Sequence, residues 1–194
     1  TSYRFKDLDI SKAFNDFIRD KKHGLIKGPF ISLKAPFVSA PEGLEIPLDI
    51  APGFPPYRHQ IEAFNQLTTK DGHKPQNTLI TTGTGSGKTE CFLYPILDYC
   101  YKNIGRKGIK VIILYPMNAL ATDQARRLAQ AIYADDRLRG KVTAGLFIGK
   151  GQDKKDFRLE MEEDGIIESR ETILANPPDI LLTNFKMLDI FTNR

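Results

Sequence analysis

A glycine-rich segment in the middle of the chain has the residue types and spacing of a phosphate-binding loop. It follows a short apolar run, residues 78–80, and precedes a second apolar run that starts at Cys91. Glycines let successive backbone N–H groups curve around a phosphate, and a helix that begins directly after them offers further N–H groups to the same anion. The residues that we predict to bind the nucleotide are Thr82, Gly83, Thr84, Gly85, Ser86, Gly87, Lys88, Thr89 and Glu90.

Two residues of this segment could perform chemistry on a nucleoside triphosphate. Lys88 is placed to reach the β- and γ-phosphates, and the Thr89 hydroxyl is placed to ligate Mg²⁺, so we predict both as catalytic residues. The general pattern begins with a glycine, and that position is Thr82 here. A glycine-rich loop that binds nothing is the alternative, and the strand–loop–helix context disfavours it.

Composition predicts a cytoplasmic globular protein of ordinary domain size. The 28 Lys and Arg exceed the 24 Asp and Glu by four charges, which permits a nucleic-acid partner without establishing one. Cys91 and Cys100 both lie in a helical pattern, which argues against a disulfide framework or a zinc cluster. No apolar run is long enough to span a membrane, and the first residues lack the apolar core of a signal peptide.

The elements around the loop predict an α/β fold with a parallel sheet flanked by helices. Residues 1–56, with a helix at 9–22 and a proline-rich stretch after it, are interpreted as an extension that packs on the domain formed by 57–194. The domain alternates strands with helices. Strands are predicted at 78–82, 110–115, 142–148 and 179–183, and helices at 58–69, 90–103, 118–133 and 185–191.

Because ligands bind at the carboxyl ends of such strands, the loop and the turns that begin at Tyr115 and Thr183 should line one edge of the domain. The charged stretch at 151–172 is interpreted as an exposed, solvated excursion between two strands.

Several motifs together resemble the first motor domain of a superfamily 2 helicase, which is a RecA-like P-loop domain. In that superfamily the leading glycine of the first motif is commonly replaced, as it is by Thr82 here. Residues 54–60 resemble the Q motif, which implies that Gln60 reads the adenine of ATP, since an amide offers one donor and one acceptor. Tyr57 or Arg58 could stack on the base.

Two further turns resemble motifs Ia and Ib, which hold a nucleic-acid strand by its backbone. They lie at 115–124 and 179–188. The nucleic-acid contacts that the resemblance implies are Pro116, Asn118, Gln124, Gly149, Thr183 and Asn184. An ordinary surface position without a nucleic-acid contact is an equally good interpretation of Gly149 and Lys150. The pair Arg126 and Arg127 is interpreted as a solvated helix face.

The sequences of these motifs are similar to those of large bacterial helicases related to MrfA. That group includes helicases of the DISARM and Druantia phage-defence systems. The resemblance implies a DNA partner, single-stranded or partly duplex, 3′-to-5′ movement, a second RecA-like domain and partner proteins of a defence system. No Asp-Glu-x-His or Asp-Glu-Ala-Asp box occurs in the chain, and residues 162–164 are a poor substitute. We therefore expect a partial motor domain that binds ATP weakly and does not hydrolyse it efficiently alone.

Two other functions remain open at this point. One is a P-loop domain that no longer works as a motor and serves as a scaffolding module in a multi-protein assembly. The other is a metabolic P-loop kinase. The turns that resemble motifs Ia and Ib disfavour it, because a small-molecule kinase needs no contacts with a nucleic-acid strand.

Overall fold

The structure, a computed structural model, describes residues 6–25, 36–41, 43–149 and 158–193. The chain divides into two compact units, Thr1–Pro36 and Phe37–Arg194. Residues 27–33 of the proline-rich stretch, Lys150 and the first part of the charged stretch at 151–172 lie outside the described residues.

The first unit contains helix α1, Leu8–Arg19. The Asp7 carboxylate begins it by accepting hydrogen bonds from the backbone N–H groups of Asp9, at 2.8 Å, and Ile10, at 3.1 Å. The helix predicted at 9–22 is therefore confirmed with slightly earlier bounds.

The second unit is an α/β domain around a three-stranded parallel sheet, which confirms the predicted fold class. Its strands lie in the order β1-β3-β2, and Tyr115 at the end of β1 lies opposite Asn184 at the end of β3. Among the described residues, no helix is long and apolar enough to cross a lipid bilayer. The elements are α2 Arg58–Leu67, a 3₁₀ turn Lys70–Gly72, α3 Lys88–Lys102, β1 Val111–Tyr115, α4 Asn118–Tyr133, β2 Ala144–Phe147, α5 Arg170–Ala175, β3 Ile180–Asn184 and α6 Phe185–Thr192.

Alternating side chains of β3 bury both faces of the sheet. Ile180 and Leu182 belong to a core that includes residues of α3 and α4, whereas Leu181 packs with Ile173 and Met187 on the opposite face. This period of two places apolar side chains on both sides, as a parallel sheet between helices requires.

Asp179 ties the beginnings of the three strands together. Its carboxylate pairs with the Lys110 ammonium before β1 and accepts hydrogen bonds from the backbone N–H and hydroxyl of Thr143 before β2, at 2.7 and 3.0 Å. These contacts lie at the amino ends of the strands. Ligands bind at the opposite, carboxyl ends in sheets of this kind.

Residues 37–56 share the core of the second unit. Leu48 packs with Ile61 and Phe64 of α2. The buried Asp98 carboxylate of α3 accepts hydrogen bonds from the backbone N–H groups of Asp49, at 2.7 Å, and Ile50, at 3.0 Å. The predicted division at residue 56 stays a prediction.

The strand predicted at 78–82 is not formed. The stretch is irregular, and Leu79 is 87% exposed. A strand needs a neighbour to pair its backbone N–H and C=O groups, and no described strand lies beside these residues. The apolar run alone could not supply that neighbour.

The exposed stretch predicted at 151–172 is confirmed for residues 162–164, which are exposed, and is wrong for residues 165–167, which are buried. Ile166 and Ile167 are buried, and Ile167 exchanges backbone hydrogen bonds with β2: its N–H donates to Ala144 and its carbonyl accepts from Leu146. The charged residues at 162–164 made the short apolar stretch that follows them hard to recognise in the sequence.

Candidate functional site

The glycine-rich loop takes a conformation that requires two of its glycines. Gly85 and Gly87 have φ of +81° and +72°, in the left-handed region that side chains disfavour. Gly87 also ends the loop directly before α3, and a Cβ on it would lie 2.4 Å from the Gln60 Nε2. The loop therefore leads into the amino end of α3, as an anion site of this kind needs.

The Lys88 side chain folds back into the loop. Its Nζ donates hydrogen bonds to the carbonyls of Thr82 and Gly83, each at 2.8 Å. The hydroxyls of Thr82 and Ser86 lie 2.6 Å apart and hydrogen-bond to each other across the loop. The positive group is thus already inside the loop, where a phosphate could replace the two carbonyls as its partner.

Helix α2 supports the loop from behind. Gln60 is 1% exposed; its Oε1 accepts from the Tyr57 backbone N–H at 2.8 Å, and its Nε2 donates to the Gly87 carbonyl at 3.1 Å. The His59 Nε2 lies 2.8 Å from the Ser86 carbonyl, which can only accept a hydrogen bond, so this nitrogen is the donor. The adenine-reading role of Gln60 stays a prediction.

Three aromatic rings lie beside the loop. The Tyr57 and His59 rings stack with centroids 5.7 Å apart, and the Phe37 ring lies 5.5 Å from Tyr57. Phe37 is also 3.8 Å from the position of a Cβ on Gly83. Sequence reasoning missed His59 and Phe37, since nothing in the local pattern around Phe37 links it to the loop.

Arg58 points elsewhere along its helix. Its Nε pairs with the Glu62 carboxylate at 3.0 Å, and both side chains are largely exposed. Stacking of Tyr57 or Arg58 on a base stays a prediction.

The ends of β1 and β3 meet in a second candidate site. The Asn184 Nδ2 donates to the Asn118 Oδ1 at 2.7 Å, and the Asn184 Oδ1 accepts from the Met187 backbone N–H at 2.8 Å, which begins α6. A cavity of about 600 Å³ lies here. Four of the six residues predicted to contact nucleic acid line it: Pro116, Asn118, Gly149 and Asn184.

The other two predicted contacts lie differently. Thr183 is 1% exposed, and its hydroxyl donates to the Phe147 carbonyl at 2.5 Å within the sheet. Gln124 is half-buried on α4, with its Nε2 3.3 Å from the Asp123 carboxylate. Their roles with nucleic acid stay predictions.

Arg127 lies on an exposed helix face, as the sequence indicated, but it also forms an ion pair. Its Nη2 donates to the Glu90 Oε1 at 2.5 Å, which joins α4 to the first turn of α3. The helical pattern of α4 showed that Arg127 lies off the apolar stripe, but it could not show which neighbouring helix faces it.

Comparison with known proteins decides the family. The sequence model of the DEAD/DEAH box helicase family matches residues 57–193. The chain belongs to this family. The resemblance to a superfamily 2 helicase, drawn from the loop and its companion turns, is confirmed, and the parallel α/β sheet is consistent with the RecA-like domain of such helicases.

Three curated relatives share parts of the helicase domain. Druantia protein DruE of Escherichia coli (strain UMEA 4076-1) is 41% identical over 80 residues, which cover 38% of this chain and 4% of that protein. The ATP-dependent helicase MJ1574 of Methanocaldococcus jannaschii is 28% identical over 137 residues, 70% of this chain and 17% of the relative. The ATP-dependent helicase HRQ1 of Saccharomyces cerevisiae is 27% identical over 128 residues, 66% of this chain and 10% of the relative. The helicase chain thus spans a small fraction of the length of each.

Proposed function

We propose that this chain is the nucleotide-binding part of the first motor domain of an ATP-dependent nucleic-acid helicase or translocase. The observation that carries the proposal is the loop at 82–87, whose Thr82 and Gly83 carbonyls accept hydrogen bonds from the Nζ of Lys88, the first residue of α3. Family membership supports it, and two of the curated relatives carry the name ATP-dependent helicase.

The residues of the loop fit ATP with Mg²⁺. The glycines at positive φ and the amino end of α3 suit the β-phosphate, and the Lys88 ammonium neutralises charge on the phosphoryl group that is transferred. The Thr89 hydroxyl would hold Mg²⁺, which supplies charge neutralisation on the phosphate oxygens when bound. Gln60 would serve both the loop, through Gly87, and the adenine.

The cavity at the ends of β1 and β3 is the proposed nucleic-acid site. Asn118 offers amide hydrogens, and the amino end of α6 begins at the same place. Such groups suit phosphate and sugar rather than base edges. We therefore expect binding that is independent of sequence and weakened by salt, with DNA as the substrate that the motif resemblance favours.

We further propose a role in phage defence, with DNA repair as the other setting in which such a motor would serve. The 41% identity to the Druantia protein DruE supports the first. A second RecA-like domain and partner proteins of a defence system would complete the assembly.

The test is ATP hydrolysis by the full-length protein with and without single-stranded DNA. Lys88→Ala should lower DNA-stimulated turnover by about 100-fold or more, because it removes the charge that stabilises the transferred phosphoryl group. Lys107→Ala, which removes a lysine from an exposed site away from the loop, is the matched control and should change turnover less than about two-fold.

Unaltered turnover in the Lys88→Ala variant would refute the assignment. ATP binding by the wild-type protein with no hydrolysis under any nucleic acid would favour the scaffolding module instead. Stimulation by a small phosphate acceptor rather than by DNA would favour a kinase.

A further inference from the structure

An ion pair between Arg127 and Glu90 joins α4, which begins at the cavity beside the ends of β1 and β3, to α3, which begins at the phosphate loop. Glu90 lies in the first turn of α3, one residue after Thr89, and Arg127 lies on α4. The Arg127 Nη2 and Glu90 Oε1 are 2.5 Å apart, across 37 residues of sequence. The Glu90 side chain is only 18% exposed and that of Arg127 44%, so the pair is partly shielded from water.

Two half-buried tyrosines lie close enough to the pair for its charges to act on them. Tyr94 of α3 and Tyr115 at the end of β1 lie nearby. Burial raises the pKa of Tyr115, and the positive charge of Arg127 partly opposes that rise. Burial likewise raises the pKa of Tyr94, to which the negative charge of Glu90 adds. The charges of Glu90 and Arg127 therefore act on side chains of α3 and of the end of β1.

Glu90 also lies close to the end of the phosphate loop. Its second oxygen, Oε2, lies 3.2 Å from the position of a Cβ on Gly87. A bare carboxylate at this place would repel the phosphates that the loop is built to bind. Arg127 neutralises it and fixes its direction.

Helix α4 connects this contact to the strand-end cavity. It begins at Asn118, whose Oδ1 accepts from Asn184, and continues without a break to Tyr133. Arg127 follows Asn118 by nine residues, so about 14 Å of continuous helix separates the two contacts at about 1.5 Å per residue. A shift of the first residue of α4 must move Arg127 or break its bond with Glu90.

We propose that Arg127 is a positioning residue that couples nucleic-acid binding at Asn118 to the phosphate loop through Glu90. This inference rests on the proposed function, because it needs both a nucleotide and a nucleic-acid strand as ligands. A nucleic-acid strand that orders the beginning of α4 would favour the arrangement in which Arg127 pairs with Glu90 and neutralises its charge beside the loop. Nucleotide binding would, by linkage, favour the same arrangement at the strand site.

The experiment measures the dissociation constant of a non-hydrolysable ATP analogue by the full-length protein, with and without oligo-dT. The ratio of the two constants is the coupling factor. We expect Arg127→Gln to lower a wild-type factor of about 5 or more towards one, the range typical of coupled sites. Arg127→Lys keeps the charge and should retain most of the coupling. Arg126→Gln removes the neighbouring, exposed charge and should leave the factor unchanged.

A charge exchange distinguishes a pairwise effect from two separate ones. Glu90→Arg combined with Arg127→Glu should recover coupling relative to either single change, because the opposite charges meet again. Coupling that is unchanged in Arg127→Gln, an equal loss in Arg126→Gln, or additive losses in the double variant would each overturn the inference. Failure of the proposed function is separate, since the wild-type protein would then show no coupling or no nucleotide binding at all.

Discussion

Gln60 donates a 3.1 Å hydrogen bond from its Nε2 to the carbonyl of Gly87, 27 residues further along the chain. The two residues approach so closely that a Cβ on Gly87 would lie 2.4 Å from the same nitrogen. Because the Gln60 Oε1 also accepts from the Tyr57 backbone, one buried amide joins the beginning of α2 to the end of the phosphate loop. Any movement of the loop must keep or break this bond.

Substitution of Gly87 tests this contact directly. Gly87→Ala should abolish nucleotide binding and lower the free energy of unfolding by about 1–3 kcal/mol, because alanine disfavours φ of +72° and its methyl group would displace Gln60. Fluorescence titration with an ATP analogue and urea denaturation measure the two effects. Gly53→Ala is the matched control, since nothing lies within 4 Å of its added Cβ. Normal nucleotide affinity in Gly87→Ala would contradict the prediction.

Asp98 is expected to stabilise the packing of residues 49 and 50 on α3. Asp98→Ala should lower the free energy of unfolding by about 3 kcal/mol, because two backbone N–H groups lose their acceptor and the Lys102 ammonium, 2.7 Å away, loses its partner. Urea denaturation measures the change. Asp136→Ala removes a carboxylate that is 89% exposed and should cost under about 1 kcal/mol. Equal effects of the two substitutions would show that Asp98 is not a structural anchor.

The two cysteines should resist alkylation in the folded chain. Both are fully buried, and burial raises the pKa of Cys91 to about 11 and that of Cys100 to about 12. Since the thiolate is the nucleophile, iodoacetamide at pH 8 should modify them only after unfolding in urea. Mass spectrometry of the alkylated protein measures this. Modification at the same rate in the folded and the unfolded chain would count against it.

The same pKa shifts predict how stability depends on pH. The pKa of Cys91 is raised from 9.0 to about 11 on folding. A raised pKa contributes to stability fully below pH 9, and this contribution is lost as the pH rises towards 11. The free energy of unfolding should therefore fall between about pH 9 and pH 11, and Cys91→Ser should reduce the slope. Urea denaturation over this pH range measures it, and an unchanged slope in Cys91→Ser would assign the loss to other groups.

Thr183 and Asn118 are expected to contribute differently to nucleic-acid binding. Asn118→Ala should weaken binding of single-stranded DNA by about five-fold, because a hydrogen bond of about 1 kcal/mol is lost at the cavity. Thr183→Val should leave the affinity within about two-fold, since its hydroxyl donates to Phe147 inside the sheet, and should lower the free energy of unfolding by about 1 kcal/mol. Fluorescence anisotropy measures both affinities. A greater loss of affinity in Thr183→Val than in Asn118→Ala would show that Thr183 contacts the strand after all.

Local patterns predicted the elements whose signals lie within a few residues. Helix α4 has the bounds that its apolar stripe predicted, 118–133, and β1 and β3 lie within a residue or two of their apolar runs. Gly87 precedes the helix that the motif required. These features depend on backbone preference and on the spacing of side chains along one element, so the sequence alone was sufficient.

Contacts between distant residues could be decided only by the tertiary structure. The run at 78–82 predicted a strand from its composition, yet pairing with a neighbour is what makes a strand, and no described strand lies beside it. Arg127 belonged to a polar helix face by its spacing, and only the packing of α4 near α3 placed Glu90 within 2.5 Å of it. The sequence by itself predicted the phosphate loop, most of the helices and strands around it and the resemblance to helicases. The tertiary structure decided which side chains hold that loop, because hydrogen bonds and ion pairs act over a few ångströms in space and disregard separation along the chain.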